Sequence, residues 1–434
     1  MHRRILQLAI PSIISNITVP LLGLVDVAIT GHMELARWYV AAIAVGTMAF
    51  NIVYWLLSFL RFGTGGMTAQ AYGARDWELC ARLLVRALTV SSAIALTLVV
   101  LQVPLCRLMT WVISPDPFLL GLVEKYFLIC IWGTIPSLGL YALTGWFVGM
   151  QNTRLPMVVS VTQNVLNICL SYAFVFWCHL SVTGIALGTL IAQWAGFLMA
   201  LLMVVWKYSD VFRGVQGLMA STIDDYKHFF MVNVPLFLRT LFLVAVNVWI
   251  IVAGAKGGAV ILAVNSIIMQ MFILYTYIMD GFAFAAEALC GRYYGARDRA
   301  NFDRALRGVW QWALGLVAVY TVAYLFGASL FTRMLTTDAV VRQAAEDYFI
   351  WAVLIPVSGV AAFVWDGVFV GITNTVGMLK GTMGGAIAFF VVYLLLADRM
   401  GNHALWLAFD VYLLMRGVVQ HGIYLMHHAR MVQN

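Results

Sequence analysis

Charge is what this sequence has least of. Only 10% of its 434 residues are charged, against 63% hydrophobic, and the mean hydropathy is +0.91. A soluble globule carries about 25% charged and about 45–50% apolar residues. So few charges cannot coat a folded chain of this length. A soluble enzyme, a disordered chain and a nucleic-acid binder are thereby excluded.

The net charge of +7 does not bring nucleic acid back. No run of five Lys or Arg occurs, and the basic residues stand singly between apolar stretches. That placement suits the positive-inside bias of membrane proteins. Catalytic signatures are missing too. No GxxxxGK[ST], HExxH or GxSxG is present, so ATP is not hydrolysed through a P-loop and no zinc protease or serine hydrolase is indicated. The six cysteines form no CxxC pair and have no His partner at metal spacing, so they are expected as small buried thiols. No metal cofactor is expected, and the chain is not read as an enzyme.

What is present in abundance is apolar sequence. A membrane helix needs about 20 mostly apolar residues. Twelve such spans are predicted, near 8–30, 38–60, 83–106, 122–148, 157–177, 184–206, 229–252, 260–282, 308–331, 347–370, 376–397 and 403–425. Met1-His2-Arg3-Arg4 before the first resembles a secretory leader. The run continues through Pro11, Asn16 and Pro20 to Asp26, too long and too polar for one, so it is read as a retained first helix. With both termini on one side, eighteen Lys and Arg fall on that side, Arg61 and Arg416 among them. Seven fall on the other, and Arg239 lies inside a span. Both termini are therefore expected in the cytoplasm, with the chain in the plasma (inner) membrane.

The chain is also a tandem repeat. Tyr72-Gly73-Ala74-Arg75-Asp76 recurs as Tyr294-Gly295-Ala296-Arg297-Asp298, a shift of 222 residues. At the same shift Gly145-Trp146-Phe147-Val148-Gly149 meets Gly367-Val368-Phe369-Val370-Gly371, Asn152-Thr153 meets Asn374-Thr375, and Asp116 meets Asp338. Agreement at a single offset marks an internal duplication. Six spans separate the copies, and an even number preserves orientation, so the halves are parallel repeats. Two like bundles enclosing a midplane cavity are transporter architecture. The expected organisation is an N-terminal lobe at 1–206, a cytoplasmic linker at 207–228 and a C-terminal lobe at 229–434. One chain contains both lobes, so a monomer is expected. The repeated motifs read as turns: Gly73 or Gly295 taking a left-handed helix end, and Asp76 or Asp298 capping the next helix.

Ionisable groups inside a bilayer cost about 2.5–3.5 kcal/mol each on insertion scales and become functional-site hypotheses. Asp26 is the clearest, late in the first span, with no basic residue for about twenty positions upstream. Desolvation disfavours the charged form of a carboxyl, and such a group can load a proton on one side and release it on the other. A hydrated helix-end aspartate is the alternative. Asn164, Asn167 and Ser171 step by three and four along the fifth span and share a face. They would bond Asp26, help hold a cation, or act as helix–helix glue. In the second half Arg239 needs an acidic partner, and Asp280, Glu287 and Asp366 are within reach by sequence. A network of Arg239 with Asp280 or Asp366 is expected, either moving in the cycle or locking the lobe. Asp410 in the last span is a weaker candidate. The 21 Met and 59 aromatic residues suit an adaptable site for hydrophobic or cationic compounds.

Three stretches then carry a resemblance: Pro20-Leu21-Leu22-Gly23-Leu24-Val25-Asp26, the duplicated Gly-Ala-Arg-Asp turns and Asp366-Gly367-Val368-Phe369-Val370-Gly371. Together they resemble a multidrug and toxic compound extrusion (MATE) transporter over about 8–425. Gly401-Asn402-His403-Ala404-Leu405-Trp406-Leu407-Ala408 is similar to the DNA-damage-inducible F (DinF)-like branch. The resemblance implies an all-α membrane fold of two six-helix bundles and cation-coupled antiport of hydrophobic or amphipathic organic compounds. It places the family's first-helix aspartate on Asp26, its Asn on Asn167 and its Thr on Thr189. Ser171 stands where the family commonly has a second Asp, which favours H+ over Na+ as coupling ion. Sodium, the alternative, would sit at Asp26, Asn167 and Thr189. A lipid or lipid-linked sugar flippase of the same superfamily is the runner-up.

Overall fold

The computed structural model describes residues 1–31, 36–113, 116–213, 215 and 222–433. Within the helices, the side chains at 19, 21, 22, 24, 26, 27, 36, 112, 113, 328 and 427–433 lie outside that description. The chain divides into two compact units. One comprises Ile10–Phe230; the other joins Met1–Ala9 to Met231–Asn434.

Sixteen α-helices are described, with one 3-10 turn at Ile131–Gly133, and among the described residues there is no strand. They are α1 (His2–Gly31), α2 (Ala36–Leu56), α3 (Phe59–Gly73), α4 (Trp77–Val100), α5 (Gln102–Ile113), α6 (Pro117–Cys130), α7 (Thr134–Gly149), α8 (Arg154–Phe176) and α9 (Ser181–Phe212). Then come α10 (Ile223–Lys256), α11 (Ala259–Gly295), α12 (Arg299–Leu335), α13 (Ala339–Glu346), α14 (Phe349–Gly371), α15 (Thr375–Met400) and α16 (Asn402–Gln433). Every predicted span lies mainly on helix, with breaks inside three of them at 57–58, 101 and 131–133, and ten stretches among the described residues are long and apolar enough to cross a membrane. Helix is what a lipid environment demands, because only there does each segment satisfy its own backbone groups.

The duplication repeats at atomic detail. The last two turns of α7 pack on α3, and those of α14 on α11, through the Gly-x-x-x-Gly spacing. A Cβ on Gly145 would run into Arg61 O, and one on Gly367 into Ala283 O, residues 222 apart. A Cβ on Gly149 would meet Gly65 O, and one on Gly371 would meet Glu287 O, again 222 apart. Small residues let two backbones touch where water offers no driving force for helix association.

Four helix–helix turns share one geometry. After α3, α7, α11 and α14, the residues Arg75, Gln151, Arg297 and Thr373 take left-handed φ of 59°, 63°, 55° and 53°. The next residue donates its N–H five positions back: Asp76 to Ala71 O, Asn152 to Phe147 O, Asp298 to Tyr293 O and Asn374 to Phe369 O. This is a Schellman ending. The same Asp or Asn then caps the following helix, accepting from Leu79 N (2.8 Å), Leu155 N (3.3 Å), Asn301 N (3.1 Å) and Gly377 N (3.0 Å). Asn301 also donates its side-chain amide to Asp298, and these bonds hold the Asp298 carboxyl below the usual carboxylate range.

The expectation for Gly73 and Gly295 needs correction. Both stay helical, and the left-handed residue is the arginine two positions on. The helix runs one step further than the glycine suggests, because Ala74 N and Ala296 N still bond back to Gln70 O and Arg292 O. The buried-thiol expectation holds for Cys80, Cys106, Cys130 and Cys290, while Cys169 and Cys178 are exposed.

Candidate functional site

In the N-terminal unit, the polar face predicted on the fifth span is assembled from three helices. Asn164 on α8 donates its Nδ2 to Thr18 Oγ1 on α1 at 2.9 Å, and Thr18 donates onward to Ser15 O at 2.7 Å. One turn later Asn167 Nδ2 donates to Thr189 Oγ1 on α9 at 3.1 Å, and Ser171 Oγ donates to Asn167 Oδ1 at 3.2 Å. Asn167 and Ser171 are buried. Gly188 admits this closeness: a Cβ there would meet the Ser171 backbone and hydroxyl. These five side chains carry no formal charge. Asp26 lies on α1, eight residues beyond Thr18, and its side chain is outside the described residues.

In the C-terminal unit the cluster is ionic. Asp366 on α14 accepts from Arg239 on α10, from Arg416 Nη2 on α16 at 2.6 Å and from Gln420 Nε2 at 2.7 Å. The side chain of Asp366 is 11% exposed, that of Arg239 9% and that of Arg416 5%. Arg416 also lies against Tyr412, its guanidinium 5.3 Å from the ring centre. Space for the pair on α16 comes from α15, where a Cβ on Gly385 would strike Arg416 and one on Gly381 would strike Gln420. Two guanidinium groups share one carboxylate, so the cluster keeps a net positive charge.

Of the two acids proposed for Arg239, the geometry selects Asp366. Asp280 is half-buried on α11, and Glu287 is buried about two turns further along the same helix, where Gly371 closely approaches its backbone. Arg416 and Arg61, expected among the cytoplasmic basic residues, are instead buried within helices, at 4% and 8% exposure. For Arg61 the cause is that α3 continues to Gly73. For Arg416, Asp366 compensates the charge that hydropathy registers only as polar. The basic excess on that side survives both removals.

The sequence reading missed Thr18, Gln420 and the partners of Asp410. Gln420 was findable, because it stands four residues from Arg416 on the same helix face. Asp410 Oδ1 meets Ser358 Oγ at 2.6 Å. The closing motif from Gly401 is a clamp. Asn402 and Asn265 exchange amide hydrogen bonds at 2.9 and 2.8 Å, Trp406 Nε1 donates to Asn265 Oδ1 at 2.8 Å, and Trp351 Nε1 donates to His403 Nδ1 at 3.0 Å.

Known proteins place this geometry. The MatE family profile matches residues 11–173 and 235–394. The chain is 38% identical over 428 residues to the DNA damage-inducible protein F of Escherichia coli, covering 97% of this chain and 91% of that protein. It is 25% identical to the multidrug and toxin extrusion protein 1 of Oryctolagus cuniculus, with 94% and 72% covered. A crystal structure of MATE in the bent conformation superposes with a TM-score of 0.89 at 18% identity, over 99% of this chain and 96% of that one. An outward-facing multidrug resistance MATE family transporter of the MOP superfamily superposes at 0.86 and 17% identity, over 100% and 96%. The chain therefore belongs to the MATE family, on its DinF-like branch, as a multi-pass membrane protein with the MATE transporter fold.

Proposed function

We propose that the chain is a secondary active multidrug exporter of the plasma (inner) membrane, antiporting protons against hydrophobic or amphipathic organic compounds. Its relatives include multidrug and toxin extrusion and multidrug resistance proteins, which supports an organic cargo. The observation that carries the choice of ion is the neutrality of the N-terminal network. Asn164, Asn167, Ser171, Thr18 and Thr189 supply amides and hydroxyls already bonded to one another. Ser171 stands where a second carboxylate would complete the charge of a sodium site. That leaves Asp26, late in the first predicted span, as the acid to carry the coupling proton in this unit. With both termini cytoplasmic, α1 and α8 run in the same direction. From the Thr18–Asn164 contact, eight residues of α1 and seven of α8 are rises of about 12 and about 10 Å, which brings the backbones of residues 26 and 171 to one level.

In the cycle, Asp26 takes a proton from outside and releases it inside, and the compound moves the other way. Protonation drives transport only if its free energy differs between the two conformations. The Arg239–Asp366–Arg416 cluster serves as a clamp that keeps α10, α14 and α16 together while the unit moves. Both arginines are committed to Asp366, which disfavours the flippase reading, since lipid phosphates would have to compete for them.

Proteoliposomes with an imposed pH gradient and an internal pH dye test the proposal, challenged with compounds from the cation ethidium to the anion fluorescein. Compound-triggered proton flux in the wild type, abolished by Asp26→Asn, is the expected result. Absence of flux from folded, compound-binding wild type would remove proton coupling, and sodium would be tested in its place.

A further inference from the structure

One buried acid takes no part in the clamp or in the N-terminal network. Asp410 on α16 is 7% exposed, and Ser358 on α14 is its single hydrogen-bond partner. Its Oδ2 atom is buried with no partner, and it forms no ion pair among the described residues. The charged and titratable groups of the surrounding helices are engaged elsewhere or make no bond to it. On α14 the only such group is Asp366, held by Arg239, Arg416 and Gln420. On α16, Arg416 sits six residues on and turned about 240° around the helix, and His403 accepts from Trp351. Tyr275 on α11 donates to Pro356 O at 3.1 Å. Lys380, Tyr393, Asp398 and Arg399 on α15 make no hydrogen bond or ion pair to Asp410, and neither do Tyr412, His421 and Tyr424 on α16.

The geometry around Ser358 indicates the state of the acid. Ser358 Oγ lies 2.6 Å from Asp410 Oδ1 and 3.2 Å from Ile355 O. A serine hydroxyl has one proton and cannot donate to both. If Asp410 is ionised, the carboxylate keeps one hydrogen bond and no counter-charge in a buried site. If it is protonated, its O–H donates to Ser358 Oγ and the serine proton goes to Ile355 O. Each contact is then a proper donor–acceptor pair, and no charge is buried. The site also lies beside a weak point of α14, because Pro356 supplies no N–H to the preceding turn.

We propose that Asp410 is a second proton-binding site, in the C-terminal unit, which loads one proton when the unit is closed around it and releases it when water reaches the α14–α16 seam. The balance is simple: the carboxylate takes H+ from water on one side and returns it to water on the other. The proposal rests on the reading of this chain as a proton-coupled carrier, but its first test does not.

Infrared difference spectroscopy of the full-length protein in lipid reads protonated carboxyl C=O stretches directly. Spectra between about pH 5 and about pH 9 bracket ordinary aspartate titration and the physiological range. The wild type should show a titrating carboxyl band that is missing in Asp410→Asn and shifted in frequency in Ser358→Ala, which removes the hydrogen bond and keeps the acid. A spectrum unchanged by Asp410→Asn, or a band that never titrates while the protein stays folded, overturns the proposal. Asp26→Asn in the same series separates the two sites, since each variant should delete its own band. In proteoliposomes, protons moved per ethidium should fall by half in Asp410→Asn; an unchanged ratio would make Asp410 a bound but uncoupled acid and would also overturn the proposal.

Discussion

The two units descend from one duplicated sequence and hold their helices together by opposite means. At the shift of 222, Asp366 faces Thr144 in the alignment, Arg416 faces Trp194 and Gln420 faces Leu198; conversely, Asn164 meets Ala386 and Asn167 meets Phe389. The C-terminal unit ties α10, α14 and α16 with a desolvated ion cluster. The N-terminal unit ties α1, α8 and α9 with amides and hydroxyls. What the copies still share is backbone: the glycine approaches and the four left-handed turns. Duplication thus preserved the parts that fix helix geometry, and the side chains at mid-helix diverged. An ion cluster resists separation of its helices, because each pulled-apart charge loses its partner in a medium that cannot solvate it. A neutral network exchanges partners at lower cost, which suits the unit that carries Asp26.

The largest expected break in this comparison is Asp366→Ala. It leaves Arg239 and Arg416 buried without a counter-charge, and removing one member of a buried pair costs about 3–5 kcal/mol. Thermal unfolding in lipid nanodiscs should show a strong loss, while Ser171→Ala in the other unit should stay within about 1–2 kcal/mol. Equal losses would mean the cluster is not the clamp. Next in size are Gly145→Leu and Gly367→Leu. Each forces apart a helix pair whose backbones touch, and overpacking of this kind costs about 1–3 kcal/mol. Because the approach is repeated at Arg61 O and Ala283 O, the two losses should match. A loss at only one position would show that the units have diverged in backbone as well.

The parts legible in the sequence were those with a local or periodic signature. Apolar runs gave the helices, and the offset of 222 gave the duplication. Asp76 and Asp298 could be recognised as caps because capping needs only a short polar side chain at a helix start. The Arg239–Asp366 pairing could be anticipated because a lone arginine in an apolar helix demands an acid. Position along the chain failed for Arg61, which looks like an interface anchor until α3 is seen to continue to Gly73, and for Arg416, whose burial is compensated by Asp366 on a distant segment. Ser358 and Thr18 were not legible at all. A hydroxyl in a helix can bond its own preceding turn, so nothing local distinguishes one that reaches across to Asp410 or accepts from Asn164.

A smaller effect should sharpen the contrast. Double-mutant cycles on membrane hydrogen bonds average about 0.6 kcal/mol and reach about 1.7. A Thr18→Val and Asn164→Leu cycle should therefore return a coupling in that range, measured by unfolding in mixed micelles. The corresponding cycle on Gln420 and Asp366 should be larger, since its acceptor is charged. Should the neutral coupling equal the charged one, ease of partner exchange would no longer distinguish the units.

The smallest effect concerns what the units share. Thr373 and Gln151 occupy the same left-handed turn position, with φ of 53° and 63°. A left-handed conformation costs an L-residue roughly 1–2 kcal/mol, and a β-branched side chain tolerates it least. Glycine relieves that strain but has more backbone freedom to lose on folding. Thr373→Gly should then stabilise by up to about 1 kcal/mol, and Gln151→Gly by less, because glutamine is unbranched at Cβ. Midpoints of thermal unfolding for the two variants decide it. A rise that is larger for Thr373 would attribute the strain to the side chain, in a turn whose backbone is common to both units. A fall in both would mean that the turns are held by the surrounding helices strongly enough for glycine's entropy to dominate.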